Sequence, residues 1–590
     1  MNKRVLTLFA ALTLLMTMPL ALDLSRQFAA NAGDPAYTMW TMTWEAHALE
    51  TAPDQFLNAN IFYPDRGTLA YSTLNLSPML VGLPIWLVTR NSILAYNAAF
   101  LFAWLVIGYG TFLLARTMGI SPVGSVIAGL AAEFSSFTFG QIDHLEILWF
   151  GWLPLFLAAL GKLLQSRKID SVVSALIFFL LGSLATWYYA LYLTCTGLGL
   201  AFYALRRTSW QQAARIVAVI ALGWLIMSPF VLPYLPLGGE YMKSRPLSVA
   251  ENLSVLPFSF LRVPYSNDTW RNIIGTYDGK EGYLFPGIAF LVLIISGAGR
   301  MWRDNARGMG GRFLILLGIV TLVLAFGPSL QINGQPVAPL PERILRLLPG
   351  YPLTRAPKRW VSFSTCAFAI IAGAGAERIG KKRLLAIAGL GGLILLENAA
   401  APLPVSTLPT LATVEPVYRW LASQPPRVVV ELPMATEDRF AVQRIGYMYR
   451  SLFHWQSEVN GVGDYVPDWY EPFVIASFTF PMQEARVAFE RRGVQLVILH
   501  TDQLEADHYQ WIQVEIDHGE ARDWLVPVAR FRDTIVYQTR STSDVATRTS
   551  LTPRVDPRTS LVRRNDRTNP LFVARGPGSA PLSSDLPGLY

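Results

Sequence analysis

Three groups of residues in this sequence are of types that do acid–base or anion chemistry. The first is Asp34, in Ala32-Gly33-Asp34-Pro35. Aspartate is a favoured helix N-cap and proline a favoured next residue, so local physics gives Asp34 a structural role as readily as a chemical one. The second group is Glu133, Gln141, Asp143, His144 and Glu146, around the adjoining ends of two apolar runs. Ionisable side chains at membrane depth are costly, which makes such a cluster a functional candidate. It can support another acid, orient a polar substrate or hold a divalent cation; the plain alternative is an outer loop satisfied by water. The third group is Arg355, Lys358 and Arg359. An arginine fork can grip a phosphate with two hydrogen bonds, and the same residues can be anchors reaching to lipid headgroups. The six histidines show no HExxH or paired-ligand spacing, so no metal site is expected. Cys195 and Cys366 sit inside apolar segments, where a structural disulfide is not expected.

The elements that must position these residues cross a membrane. Of 590 residues only 15% are charged and 52% are hydrophobic, against about 25% charged in soluble domains. Ser92 to Ala115, Ser171 to Leu205, Ile216 to Leu235 and Phe313 to Gly327 contain no Asp, Glu, Lys or Arg. A helix spanning a hydrocarbon core of about 30 Å needs roughly 20 such residues, and Ser171 to Leu205 is long enough for two. The pattern predicts about eleven spans: Val5 to Leu22, Ser92 to Ala115, Pro122 to Phe137, Leu145 to Leu164, Ser171 to Trp187, Tyr188 to Leu205, Ile216 to Leu235, Leu284 to Ala298, Phe313 to Gly327, Trp360 to Ala376 and Leu384 to Ala399. No small-x-small cleavage site follows the first of them, so it reads as a retained helix.

Lys3, Arg4, Arg116, Lys162, Arg167, Lys168, Arg206, Arg207, Arg215, Arg300, Arg303, Arg307, Arg312, Arg378, Lys381, Lys382 and Arg383 fall in one alternating set of connections. Positive short loops mark the cytoplasmic side. The N-terminus is therefore expected in the cytoplasm of a cell with this chain in its inner (plasma) membrane, and everything after Ala399 outside. The net charge of +8 belongs to this pattern and not to nucleic-acid binding. The long loops are the outer ones, and long loops without a core of their own are usually functional. In the first, 23–91, Trp40, Trp44 and His47 recur on one face of a helix suited to a membrane interface. Leu76 to Val88, broken by Pro78 and Pro84, reads as a second interfacial helix.

The expected division is a transmembrane region 1–401, an outer soluble α/β domain 402–540 and a disordered tail 541–590. In the domain, Val417 to Ser423 and Glu484 to Arg492 read as helices, and Arg427 to Leu432, Val494 to His500 and Phe531 to Thr539 as strands. The tail is rich in Arg, Ser, Thr, Pro and Asp, too polar to offset its ordering entropy.

A first helix, a long outer loop with Gly-Asp near its start and many further spans resemble the GT-C superfamily of membrane glycosyltransferases, closest to uncharacterised bacterial members that use polyprenyl-phosphate sugars. Gly33-Asp34-Pro35, Asn60 to Pro64, Leu94 to Asn97, Gln141 to Leu145, Trp187-Tyr188-Tyr189, Arg355-Ala356-Pro357 and Tyr447 to Trp455 carry the likeness in their order. It covers roughly Val5 to Gly461, each motif being short by itself. The resemblance implies a GT-C-like fold and a role in the cell envelope, with Asp34 at the position of the family's catalytic aspartate. It implies a sugar moved from a polyprenyl-phosphate donor to a glycan, lipid or protein acceptor at the outer membrane face.

That chemistry needs one base for the acceptor hydroxyl. Displacement opposite the departing phosphate inverts the anomeric centre, as in two-carboxylate hydrolases of the inverting type. Cations on the phosphate remove the need for a second acid, so a divalent cation is compatible but not required and no cofactor is expected. Substrate-binding candidates are Glu45, His47, Asp143, His144, Glu146, Tyr188, Tyr189, Arg355, Lys358 and Arg359. Arg245, Arg262, Arg271 and Lys280 are further cations in another outer loop, and Tyr447, Tyr449, His454, Trp455 and Asn460 can line an acceptor groove or simply pack the domain. The competing classes are a transporter or flippase of a lipid-linked intermediate, against which stands the absence of a visible half-to-half repeat, and a non-catalytic assembly protein.

Overall fold

The computed structural model describes residues 2–166, 168–207, 209–237, 246–276, 282–304, 309–332, 334–379, 384–434 and 441–540. Arg245, Lys280 and the tail 541–590 lie outside the described residues. The described residues divide into two compact units, one within Met1–Phe56 and Leu69–Thr410, the other of Leu57–Thr68 with those from 411 to 540. Residues 57–68, inside the first long loop, thus belong to the second unit.

Counting helices of seven residues or more, the first unit contains α1 (Asn2–Met16), α2 (Asp34–Thr51), α3 (Leu76–Thr89), α4 (Ser92–Thr117), α5 (Pro122–Glu133), α6 (Trp152–Gln165) and α7 (Ile169–Ser183). It continues with α8 (Trp187–Leu205), α9 (Trp210–Val231), α10 (Ile288–Arg303), α11 (Gly311–Ala325), α12 (Val361–Ala376) and α13 (Leu384–Asn398). Their starts are encoded locally. The Asn91 side chain accepts from the Leu94 N–H at 3.0 Å to begin α4, and Ser121 caps α5 ahead of Pro122.

Among the described residues, five helical stretches are long and apolar enough to cross a membrane: Ser92–Thr117, Leu145–Gln165, Trp187–Leu205, Trp210–Tyr234 and Pro357–Ile379. The chain is a multi-pass membrane protein, but the expected count of eleven is not reproduced. Several expected spans are shorter helices, such as α7, α11 and α13 with 15 residues each, about 22 Å of rise against a core of about 30 Å. The stretch expected as Pro122 to Phe137 stops at Glu133, followed by a separate one-turn helix, Ser136–Phe139. By contrast α3 runs unbroken through Pro78 and Pro84. The expected interfacial face of α2 is also corrected. Trp40 and Trp44 are buried and stacked at 6.4 Å, and α2 packs against α3 and α4. Its tryptophans are core residues because the helix is enclosed on nearly every side.

Close backbone approach holds the centre together. A Cβ on Gly297 of α10 would strike the Ile371 carbonyl of α12, and one on Gly375 would strike that of Leu293. Small residues let helices approach in this way where lipid supplies no hydrophobic drive.

The second unit is an α/β layer with strands β5 (Val428–Leu432), β6 (Ser457–Glu458), β7 (Leu496–His500), β8 (Leu525–Arg530) and β9 (Thr534–Thr539), β1 to β4 being short hairpin and pairing strands of the first unit (Gln27–Ala29, Ser329–Ile332, Gln335–Pro339 and Val405–Thr407). The sheet order is β6-β5-β7-β9-β8. The first three strands are parallel and the last two antiparallel. Val417, Tyr418 and Leu421 of α14 (Pro416–Ala422) pack on Val429, Leu496, Ile498 and Val536. α15 (Ala441–Arg450), α16 (Tyr470–Ser477), α17 (Gln483–Arg491) and α18 (Ala506–His518) complete it. Residues 57–68 are integral: the Tyr63 N–H donates to the Glu458 carbonyl at 2.9 Å, and Phe62 packs edge-on against Tyr470.

Gly297→Val should therefore lower the thermal midpoint of the detergent-solubilised chain, by the equivalent of about 1–3 kcal/mol or more for overpacking, while Gly299→Val, in open space, should not.

Candidate active site

Asp34 is the first helical residue of α2; Gly33 occupies the cap position and no side-chain cap hydrogen bond forms. The expected capping role is therefore not what Asp34 does. Its Oδ2 lies 3.2 Å from His144 Nδ1, which is also 3.8 Å from Glu146 Oε1. Glu146 in turn lies 3.9 Å from Arg359. A chain of alternating charge type thus links Asp34 to the arginine group. Asp143 and Arg355 are near enough to act electrostatically on Asp34 as well. Asp34 keeps 28% of its side-chain exposure and His144 12%, so the carboxylate is sheltered yet reachable.

The balance of those fields sets the acid's strength. Burial raises the Asp34 pKa and is the largest influence; His144 and Arg355 lower it, Asp143 and Glu146 raise it, and it comes to rest at about 6. A carboxyl so placed is a competent base near neutral pH.

Each member comes from the start of a helix. His144 precedes the helical run that begins at Leu145, Glu146 lies in its first turn, and Arg359 lies in the turn Pro357–Trp360 that leads into α12. Tyr188 is the second residue of α8. It binds the basic group twice: its hydroxyl accepts the Arg355 N–H at 3.0 Å, and its ring lies 4.3 Å under the Arg359 guanidinium. Lys358 and Arg359 are each only 6% exposed. They are therefore not anchors extended into headgroups.

Other candidates are placed elsewhere. Glu45 and His47 follow Asp34 by eleven and thirteen residues on α2, about 16 and 20 Å along the axis. Glu45 is fully buried, accepts the Asn75 N–H at 2.8 Å, and is pushed by burial to about 8. Tyr189 is buried and donates to the Ile147 carbonyl at 2.5 Å, a strut between α8 and the Leu145 run. Glu133 is buried against Thr13 and Gly108. That is about 18 Å along α4 from Tyr96, the α4 residue that senses Asp34, Asp143 and Glu146; it does not join them. Gln141 is buried and donates to the neighbouring Gly140 carbonyl. Arg262 binds the Ile274 carbonyl and Arg271 pairs with Asp268.

Among the described residues, the one trio whose ligand atoms all lie within 4.8 Å of one another is Glu431, His454 and Glu458, in the second unit. Nothing in the sequence marks Glu431 as the third member of that trio. Its signal was His454 and Glu458 four residues apart. Tyr447 and Tyr449 are buried packing residues there, and Asn460 bonds to both backbone groups of Glu431.

No family model matches the chain, and no curated protein matches it in sequence. Among solved structures it is similar to the Archaeoglobus fulgidus oligosaccharyltransferase tethered to an acceptor peptide, at 11% identity and a TM-score of 0.48, over 92% of this chain and 74% of that one. It is also similar to ArnT from Cupriavidus metallidurans bound to undecaprenyl phosphate, at 10% identity and a TM-score of 0.45, over 91% and 98%. At these values the likenesses carry no inference about substrate or individual residues.

Tyr188→Phe removes one hydrogen bond and keeps the ring under Arg359, so it should cost about 1 kcal/mol in unfolding experiments. Tyr188→Leu loses both contacts and should cost visibly more.

Proposed function

We propose that this chain is an inverting glycosyltransferase that moves a sugar from a polyprenyl-phosphate donor to an acceptor hydroxyl of a glycan, lipid or protein. The observation that carries this reading is the pairing of one carboxylate, poised near neutrality, with a fixed group of cations. Asp34 takes the acceptor's hydroxyl proton as the oxygen lone pair forms a bond to the anomeric carbon. The carbon–oxygen bond to phosphate breaks on the opposite face, and its electron pair leaves with the lipid phosphate. Arg355, Lys358 and Arg359 hold that phosphate's charge, aided by the positive ends of the helices that present them. Tyr188 fixes two of the three. His144 keeps Asp34 ionised and oriented while Glu146 links His144 to Arg359. A divalent cation is not required by this scheme. The lysines and arginines of the alternate connections favour a site on the outer membrane face.

The reading predicts that Asp34→Asn abolishes transfer from a polyprenyl-phosphate sugar while membrane insertion and thermal stability are kept; full activity would end the scheme. The rate of the wild type should fall as pH drops through about 6, where Asp34 takes up its proton. Since His144 lowers the Asp34 pKa, His144→Gln should move that acid limb to higher pH. A merely structural histidine would lower the rate and leave the limb where it was.

A further inference from the structure

The second unit contains a buried acid cluster that the proposed reaction does not use. Glu431 on β5, Glu458 on β6 and His454 just before it are enclosed: Glu431 and Glu458 are 0% exposed and the His454 side chain likewise. Three such groups within 4.8 Å invite a metal ion. The hydrogen bonds point elsewhere. The Gln456 N–H donates to His454 Nδ1 at 3.0 Å, so that nitrogen carries a lone pair and the neutral ring's proton sits on Nε2. A metal on Nε2 would require that proton to leave as well, giving an imidazolate.

The remaining atoms can be accounted for one by one. Glu431 Oε2 accepts the Tyr418 hydroxyl at 2.7 Å and stands 2.6 Å from His500 Nε2. His454 Nε2 lies 3.4 Å from Glu458 Oε1. Were both acids ionised, Glu431 Oε1 and both Glu458 oxygens would be buried with no hydrogen bond among the described residues, two carboxylates in contact away from water. Such an arrangement is prohibitive. One proton on Glu458, donated to Glu431 Oε1, satisfies both oxygens and leaves Glu458 Oε1 for the His454 N–H. Glu431, with two donors already, is the one that stays charged.

We propose that the second unit binds one structural proton on Glu458, held by Glu431 and His454 in place of a metal, so that folding of this unit takes up a proton. Burial, then the neighbouring Glu431 charge, push the Glu458 acid well above its ordinary value. Among the described residues, the other groups facing the pair are Tyr418 from α14, Tyr447 and Arg450 from α15, Tyr470 from α16 and His500 from β7, with Glu415, Arg444 and Asp502 further out. The sign follows from linkage. Below the ordinary carboxylate value of 4.5 both states hold the proton; above it only the folded state does, so stability falls as pH rises. His454, lowered by burial from 6.5 to about 4, acts in the opposite sense below 6.5. The window that isolates Glu458 therefore opens above 6.5, where His454 is neutral in both states.

The test is hydrogen exchange of β5 and β7 amides in the full-length chain in detergent, wild type against Glu458→Gln at each pH, so that intrinsic exchange rates cancel. The glutamine amide replaces the proton, donating to Glu431 and accepting from His454. The protection ratio of wild type to variant should fall with rising pH above 6.5, by about tenfold per unit for as long as folded Glu458 keeps its proton. Glu458→Met, uncharged and of similar length, should give the same slope whatever its absolute stability. A ratio independent of pH in both variants overturns the proposal. So does about one zinc, manganese or iron per chain in protein purified without chelator and absent from Glu458→Gln.

Discussion

Four helix beginnings meet at Asp34, and the site depends on that convergence. The run from Leu145, the turn into α12, α8 and α2 all present their first residues there. Each helix start carries roughly half a positive charge from its unpaired N–H groups. Three acids and a histidine can therefore crowd together without mutual repulsion dispersing them, with a half-buried Arg355 and a buried Arg359 beside them. Acids alone would raise one another until none was ionised near neutral pH; cations alone would cost too much to bury. Interleaved, each stabilises the other, and Asp34 comes to rest between its free value and a protonated state.

The buried acids elsewhere show what that arrangement achieves. Glu45 and Glu133 are both enclosed, and neither sits in a group of opposite charges. One is held by a backbone N–H and the other by a threonine hydroxyl. Burial without cations pushes Glu45 toward a silent neutral acid that ties α2 to the Asn75 turn, and Glu133 ties α1 to α5. What separates Asp34 from them is surroundings, not residue type.

Much of this was legible in the sequence, for reasons that differ by element. Charge-free runs such as Ser92 to Ala115 and Trp187 to Leu205 announced their helices because nothing else tolerates so long an apolar stretch. The strands around Val428 and Leu496 were bounded by their own β-branched runs. Asp34, His144, Glu146, Arg355 and Arg359 were recognisable as chemical types, and the structure brings them together across more than 300 residues of chain. Glu45 and His47 misled because nearness in sequence on a helix is distance in space. Tyr188 stood among the substrate-binding candidates by type alone; its bond to the Arg355 backbone is a tertiary fact that no local pattern encodes. The α2 tryptophans were misplaced because periodicity shows that a face is apolar without saying whether lipid or protein covers it.

The membership of Leu57–Thr68 in the second unit bears on how the chain can be made. These twelve residues leave the ribosome early, yet the strands and helices that receive them begin only at Leu411. Phe62 must wait for Tyr470, and the Tyr63 N–H for the Glu458 carbonyl, while residues 69–410 are synthesised and inserted. The second unit is thus closed by its oldest piece and cannot be completed in the order it is translated. Its assembly is a late event that waits for the synthesis of everything between, and a fragment starting at Leu411 would lack the segment that finishes it.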